Sequence, residues 1–162
     1  MTRPLNRRTV LRKLVAAPCV PLALATHVGA TDYASAAEVF AAVDRLEAEV
    51  ALRLRALAEA TPGAKAFATS VLADHERQGR ARERLRRRLG LAFSETARVE
   101  AGDLESLEAL RSAQEALVHA HAEGLPALGE AFAVDVMADH LVELSRHLAV
   151  VDLWLEAEAD RG

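Results

Sequence analysis

Between Val134 and Leu155 the apolar residues are Val134, Met137, Leu141, Leu144, Leu148, Val151 and Leu155. The steps alternate three and four, which draws one narrow apolar stripe along a helix of about six turns. A second row, seven apart, borders it: Ala133, His140, His147 and Trp154. Side chains at such positions lie half in a core and half within reach of a neighbouring helix. A helix this long with so narrow a stripe needs partner helices. Two histidines on its border, with Glu143 between them, are the best candidates for chemistry.

Three further segments carry the same period. Ser35-Ala36-Ala37-Glu38 has the pattern of a capping box and opens a helix running to Ala60. Its stripe is Phe40, Val43, Leu46, Val50, Leu54 and Leu57, and Glu47 borders that stripe. Thr61-Pro62 ends it and starts the second helix, with Thr as N-cap and Pro in the first turn. That helix continues to Leu89, where Gly90 stops it. Its seam reads Phe67, Val71, His75, Gln78, Arg82, Leu85, Leu89, polar in the middle, with Asp74 and Glu76 flanking His75. From Arg77 onward seven arginines (77, 80, 82, 84, 86, 87 and 88) are expected to form a solvated face against acidic neighbours. After a connection over Leu91–Gly102, Asp103 is the expected cap of a third helix, with the stripe Leu107, Leu110, Gln114, Leu117 and His121. His121 stands near a helix end, where a cation is favoured. Gly124 and Pro126 mark the turn into the last helix, which runs to about Glu158. No segment alternates as a strand would. The expected class is all-α, an antiparallel four-helix bundle.

The N-terminus differs in kind. Residues 1–30 carry Arg3, Arg7, Arg8, Arg12 and Lys13 and no acid, followed by the apolar run Leu14–Ala25 and a small-residue end. This is the layout of a cleavable export signal, and the run is too short and too broken by Pro18 and Pro21 to span a bilayer. Val28-Gly29-Ala30 allows cleavage after Ala30, and Ala34-Ser35-Ala36 allows it after Ala36. The domains expected are thus the signal, 1–30, and the bundle, 31–162. Taking five bases from 20 leaves 15 against 24 acids, a net charge of −9 for the bundle. So acidic a body argues against nucleic acid as a partner. The single Cys19 lies within the signal, so cysteine-bound metals and disulfides are excluded from the bundle.

Each helix sets an ionisable or amide group on or beside its stripe: Glu47; His75 with Glu76; Gln114 and His121; His140, Glu143 and His147. Such groups are costly in a dry core unless they pair or hold an ion. The expected metal ligands are Glu47, His75, Glu76, His140, Glu143 and His147, a carboxylate and imidazole set suited to iron, manganese or zinc. Haem between two histidines is a weaker alternative. No nucleophile arrangement or phosphate loop is present.

Asn6-Arg7-Arg8-Thr9-Val10-Leu11 resembles a twin-arginine signal, which implies the twin-arginine machinery as a partner and a periplasmic or secreted protein. Glu47, Leu72-Ala73-Asp74-His75-Glu76-Arg77 and Ala138-Asp139-His140-Leu141-Val142-Glu143 resemble the ferritin-like superfamily. That resemblance implies a helical bundle with ligands on several helices. The family's Glu-x-x-His pairs are broken here, because Leu72 and Met137 stand three before His75 and His140. Standard di-iron chemistry is therefore not expected. A twelve-residue connection reaches about 40 Å, barely the length of a 27-residue helix, so a simple up-down-up-down path is the easier expectation beside the ferritin-like crossover. The function expected is a ferritin-like exported bundle of undefined role holding a metal or small cofactor. The alternative is a non-catalytic interaction module of the cell envelope, whose partner is a second copy or another exported protein.

Overall fold

The computed structural model describes residues 33–92 and 106–160. The expected export signal over residues 1–30, the expected cleavage after Ala30, and the expected cap Asp103 lie outside the described residues. Four α-helices are present: α1 (Ala36–Ala60), α2 (Lys65–Leu89), α3 (Leu107–Gly124) and α4 (Ala131–Ala159). Short 3-10 turns, Pro62–Ala64 and Leu125–Leu128, join α1 to α2 and α3 to α4. No strand occurs among the described residues.

The helix ends follow local chemistry. The Ser35 Oγ accepts from the Glu38 backbone N–H at 3.3 Å, and the Glu38 carboxylate accepts from the Ala34 N–H at 2.9 Å. The capping box is thus reciprocal, with its return bond one residue earlier than the usual pattern. Thr61 closes α1 by donating its N–H to the Leu57 carbonyl, and its side chain caps nothing. Pro62 opens the 3-10 turn, so α2 begins at Lys65 rather than at the proline. Gly90 adopts φ +67°, and the Leu91 N–H reaches the Arg86 carbonyl at 2.9 Å, a Schellman ending that a left-handed glycine makes easy.

The third helix corrects the expectation. It begins at Leu107, not after Asp103, because Ser106 is the residue whose Oγ accepts from the Ala109 N–H at 3.2 Å. Seventeen residues therefore separate Leu89 from Leu107.

Side-chain contacts mark where neighbouring helices meet. Phe40 near the start of α1 lies under Arg86 near the end of α2, and Glu47 meets His75 further along. Arg88 lies 3.7 Å over the Phe132 ring at one end of the α2–α4 pair, and Phe67 packs on Trp154 at 4.7 Å at the other. Arg111 of α3 holds Asp152 of α4 at 2.7 Å. A Cβ on Gly124, at the end of α3, would stand 2.5 Å from Val39 Cγ1, at the start of α1. Only glycine permits that approach. α1 packs on α2 and α3, while α4 packs on α3 and more lightly on α2.

The core is aliphatic. Every expected stripe residue of α1 is buried, joined by Val39. On α3, Leu107, Leu110, Gln114, Leu117 and His121 are all buried, as the spacing implies. The last helix, α4, is turned relative to its expected stripe. Ala133, Met137, His140, Leu144 and Val151 face inward, whereas Val134, Leu141, Leu148 and Leu155 are only partly covered. Met137, Leu144 and Val151 of the expected stripe are thus joined in the core by Ala133 and His140 of the border row, while His147 and Trp154 of that row stay partly covered. Of that row, His147 makes a polar contact with α2, at Asp74, and the His140 ring packs beside His121 of α3.

Candidate functional site

Helical spacing alone places the polar groups of α2 on one line. Asp74, His75, Gln78 and Arg82 are separated by one, three and four residues, so the last three share a face and Asp74 flanks it. That face meets α1 on one side and α4 on the other.

Toward α1, His75 Nδ1 lies 3.0 Å from Glu47 Oε1. The other Glu47 oxygen takes the Arg82 guanidinium. Arg82 also holds Asp44 at 3.2 Å, and Arg86 binds the second Asp44 oxygen. Arg82 is 1% exposed, which makes it the largest fully buried side chain of the core. Burial lowers its pKa against the upward pull of Asp44. From that reduced value the guanidinium still stays charged at neutral pH.

Toward α4, His147 Nε2 lies 3.1 Å from Asp74 Oδ2, and Arg77 binds the other Asp74 oxygen at 2.8 Å. Burial alone would raise the Asp74 pKa, but Arg77 and His147 hold it below the usual carboxylate range. Gln78 donates its amide N–H to Glu143 at 2.9 Å, and Arg77 reaches Glu143 at 3.4 Å. The His75 and His147 rings stand 5.8 Å apart, centre to centre.

α3 closes the site with His121, whose Nδ1–H donates to the Leu117 carbonyl at 2.9 Å, its ring 6.3 Å from that of His140. His121 is fully buried, and burial pushes its pKa down to about 3, with Arg82, His140 and His75 adding to the effect. It is a neutral core imidazole and not the helix-end cation that its position suggested. Burial likewise brings His75 and His140 to about 4, and lowers His147. All four rings are uncharged at neutral pH.

The structure sets Glu47 and His75 in one hydrogen-bonded group and Glu143 and His147 in the hydrogen-bonded and ion-paired groups around Asp74 and Arg77. The two meet where the His75 and His147 rings approach, with His140 packed on His121. Glu76 is not among them: it points outward, mostly exposed, with Arg80 at 3.8 Å. The arginine run is also not a uniform solvated face, since Arg82 and Arg86 are buried counter-charges. Arg82 stands seven after His75 on the polar seam, and Asp44 three before Glu47 on α1. Those spacings were the available signals for both.

A di-iron centre does not fit these residues. Both Glu47 oxygens are taken, by His75 and by Arg82, and a fixed cation sits where carboxylates would have to share an ion. Among the described residues, no group of three or more His, Cys, Asp or Glu side chains is placed to hold a metal ion. Several buried polar atoms instead lack any partner: His75 Nε2, His147 Nδ1, His140 Nδ1, His121 Nε2, Gln78 Oε1, Gln114 Oε1 and Arg82 Nη1. No protein-family model, no curated protein and no solved structure matches this chain.

Proposed function

We propose that the chain is an exported, acidic four-helix bundle of ferritin-like arrangement that holds a metal ion between α2 and α4 without di-iron chemistry and without turning over a substrate. The arrangement is supported by which helices are neighbours. α1 touches α2 and α3, and α4 touches α3 and α2, leaving α1 opposite α4 and α2 opposite α3. An up-down-up-down bundle would instead pair α2 with α3. The contacts of Phe67 with Trp154 and of Arg111 with Asp152 support a start of α3 at the end of the bundle where α2 begins, away from where α2 stops. Seventeen residues reach about 56 Å, more than the ~38 Å of the 25-residue α2. The distance objection to a crossover disappears once α3 starts at Leu107.

Export rests on the paired Arg7 and Arg8, the apolar run behind them and the acidic body. Twin-arginine export delivers the protein to the periplasm or outside the cell. Cleavage after Ala30 leaves the Ser35 cap of α1 intact, whereas cleavage after Ala36 would remove it.

The observation that carries the metal reading is the pair of imidazole nitrogens, His75 Nε2 and His147 Nδ1, buried on facing helices without partners. Neutral imidazoles braced by carboxylates are the usual state of metal-binding histidines. Elemental analysis of protein purified from its native compartment tests this. One ion per chain is expected, lost in His147→Asn, and metal far below one equivalent would end the reading.

A second reading, an interaction module of the cell envelope, is favoured by Val142 and Leu153. They are 52% and 40% exposed on the outer side of α4. One partner that co-purifies with wild type and with His147→Asn alike, but not with Val142→Asp, would support it.

A further inference from the structure

The two histidines that face each other between α2 and α4 have their tautomers set by their partners. Glu47 is an ion-paired carboxylate and can only accept, so His75 donates Nδ1–H to it and keeps the lone pair on Nε2. Asp74, paired with Arg77, likewise accepts, so His147 donates Nε2–H and keeps its lone pair on Nδ1. Both lone pairs are buried and unpartnered. Neither ring can satisfy the other, because each now offers only an acceptor. Gln78 adds a third case one turn along α2: its amide N–H is committed to Glu143, and its carbonyl oxygen is buried without a donor. Two buried acceptors side by side, with no free donor on either ring, suit one shared cation.

The ring spacing is compatible with one shared ion. A bond of about 2.0 Å from each imidazole nitrogen, with about 1.1 Å from nitrogen to ring centre, puts the centres of two rings on one linear ion about 6 Å apart. The observed separation is 5.8 Å. Among the described residues no third His, Cys, Asp or Glu is placed to complete a larger shell, and the oxygens of Glu47 and Asp74 are engaged by His75, Arg82, Arg77 and His147.

Charge bears on the choice of ion. In the contact network, four carboxylates (Asp44, Glu47, Asp74 and Glu143) face three guanidiniums (Arg77, Arg82 and Arg86). One negative charge is left over. A monovalent ion matches that excess, which lies on the partly exposed Glu143.

Resting on the metal reading above, we infer that His75 Nε2 and His147 Nδ1 clamp one soft monovalent cation of the copper(I) class in two-coordinate, near-linear geometry. Imidazole suits copper, and copper(I), with a filled d shell, accepts two ligands where zinc, iron and manganese require four or more. Glu47 and Asp74 act as the groups that hold the rings.

The test uses the full-length chain with Cys19→Ser, which removes its one thiol. Anaerobic titration with copper(I) against a chromophoric copper(I) chelator reads affinity and stoichiometry, and X-ray absorption reads the coordination number. One ion per chain with a two-coordinate nitrogen spectrum is expected, with silver(I) competing for the same site. His147→Asn abolishes binding, and Asp74→Asn, which keeps both ligands, weakens it about 10–100-fold. His119→Gln leaves it unchanged. Zinc or iron(II) held at one equivalent in preference to copper(I), and lost in His147→Asn, would overturn the choice of ion and leave the metal reading standing. Binding of none of these ions would overturn both. Copper(I) binding unaffected by His147→Asn would overturn this site.

Discussion

Acid should unfold this protein well above the pH at which its carboxylates titrate. The cause is the set of buried imidazoles His75, His121 and His140, which are 4%, 0% and 7% exposed. In the folded chain they take protons only near pH 4, 3 and 4. In the unfolded chain they do so near 6.5. The unfolded state therefore binds more protons across the whole interval between. Stability from this source is complete above about pH 6.5 and falls as the pH drops toward 4. At pH 5 each ring costs about 2 kcal/mol, so three cost about 6 kcal/mol. That is comparable with the whole stability of an ordinary domain, ~5–15 kcal/mol. With three protons taken up, the slope near pH 5 is about 4 kcal/mol per pH unit. The assay is urea unfolding of the metal-free chain at pH 7.5, 6 and 5. With a denaturant slope of about 2 kcal/mol/M, the midpoint should fall by roughly 3 M between the extremes. His140→Gln, which takes one ring out of the count, should flatten the dependence by about one proton. Equal midpoints at pH 7.5 and pH 5, or ring protons titrating near 6.5 by NMR in the folded chain, would refute the assignment of neutral buried imidazoles.

Three other outcomes follow from the same network and its surroundings. Arg82→Met leaves Glu47 without its guanidinium and should cost about 3–5 kcal/mol, and adding Glu47→Gln should recover part of the loss in thermal unfolding; equal stability of the single and double variants would sink the pairing. Gly124→Ala pushes a methyl against Val39 and should destabilise by about 1–3 kcal/mol, with Val39→Ala restoring most of it, whereas an uncompensated or absent effect would contradict the close approach of α1 and α3. Glu76→Gln, at the exposed pair with Arg80, should leave urea stability within about 0.5 kcal/mol and copper(I) affinity unchanged; a large loss of either would return Glu76 to the site.

Periodicity by itself determined the four helices, because a helix that must bury one face writes that face into its spacing. The α1 stripe Phe40 to Leu57 and the polar seam of α2 were legible residue by residue, as were the stops at Gly90 and Thr61. The polar middle of the seam also announced that something other than oil fills the centre. What α2 presents there was legible; what meets it was not. Spacing along one helix says nothing about the rotation of another. α4 lies so that His140 is inside and Leu141 and Leu148 only partly so, with His140 against His121 of α3 and His147 on Asp74 of α2. Arg82 and Glu76 each look like one charge among many in a line of sequence. Only packing decided that Arg82 is sealed between Asp44 and Glu47 while Glu76 faces water. The desolvation of a charge, and so its role, depends on neighbours from other helices, and those neighbours are brought to it by the fold alone.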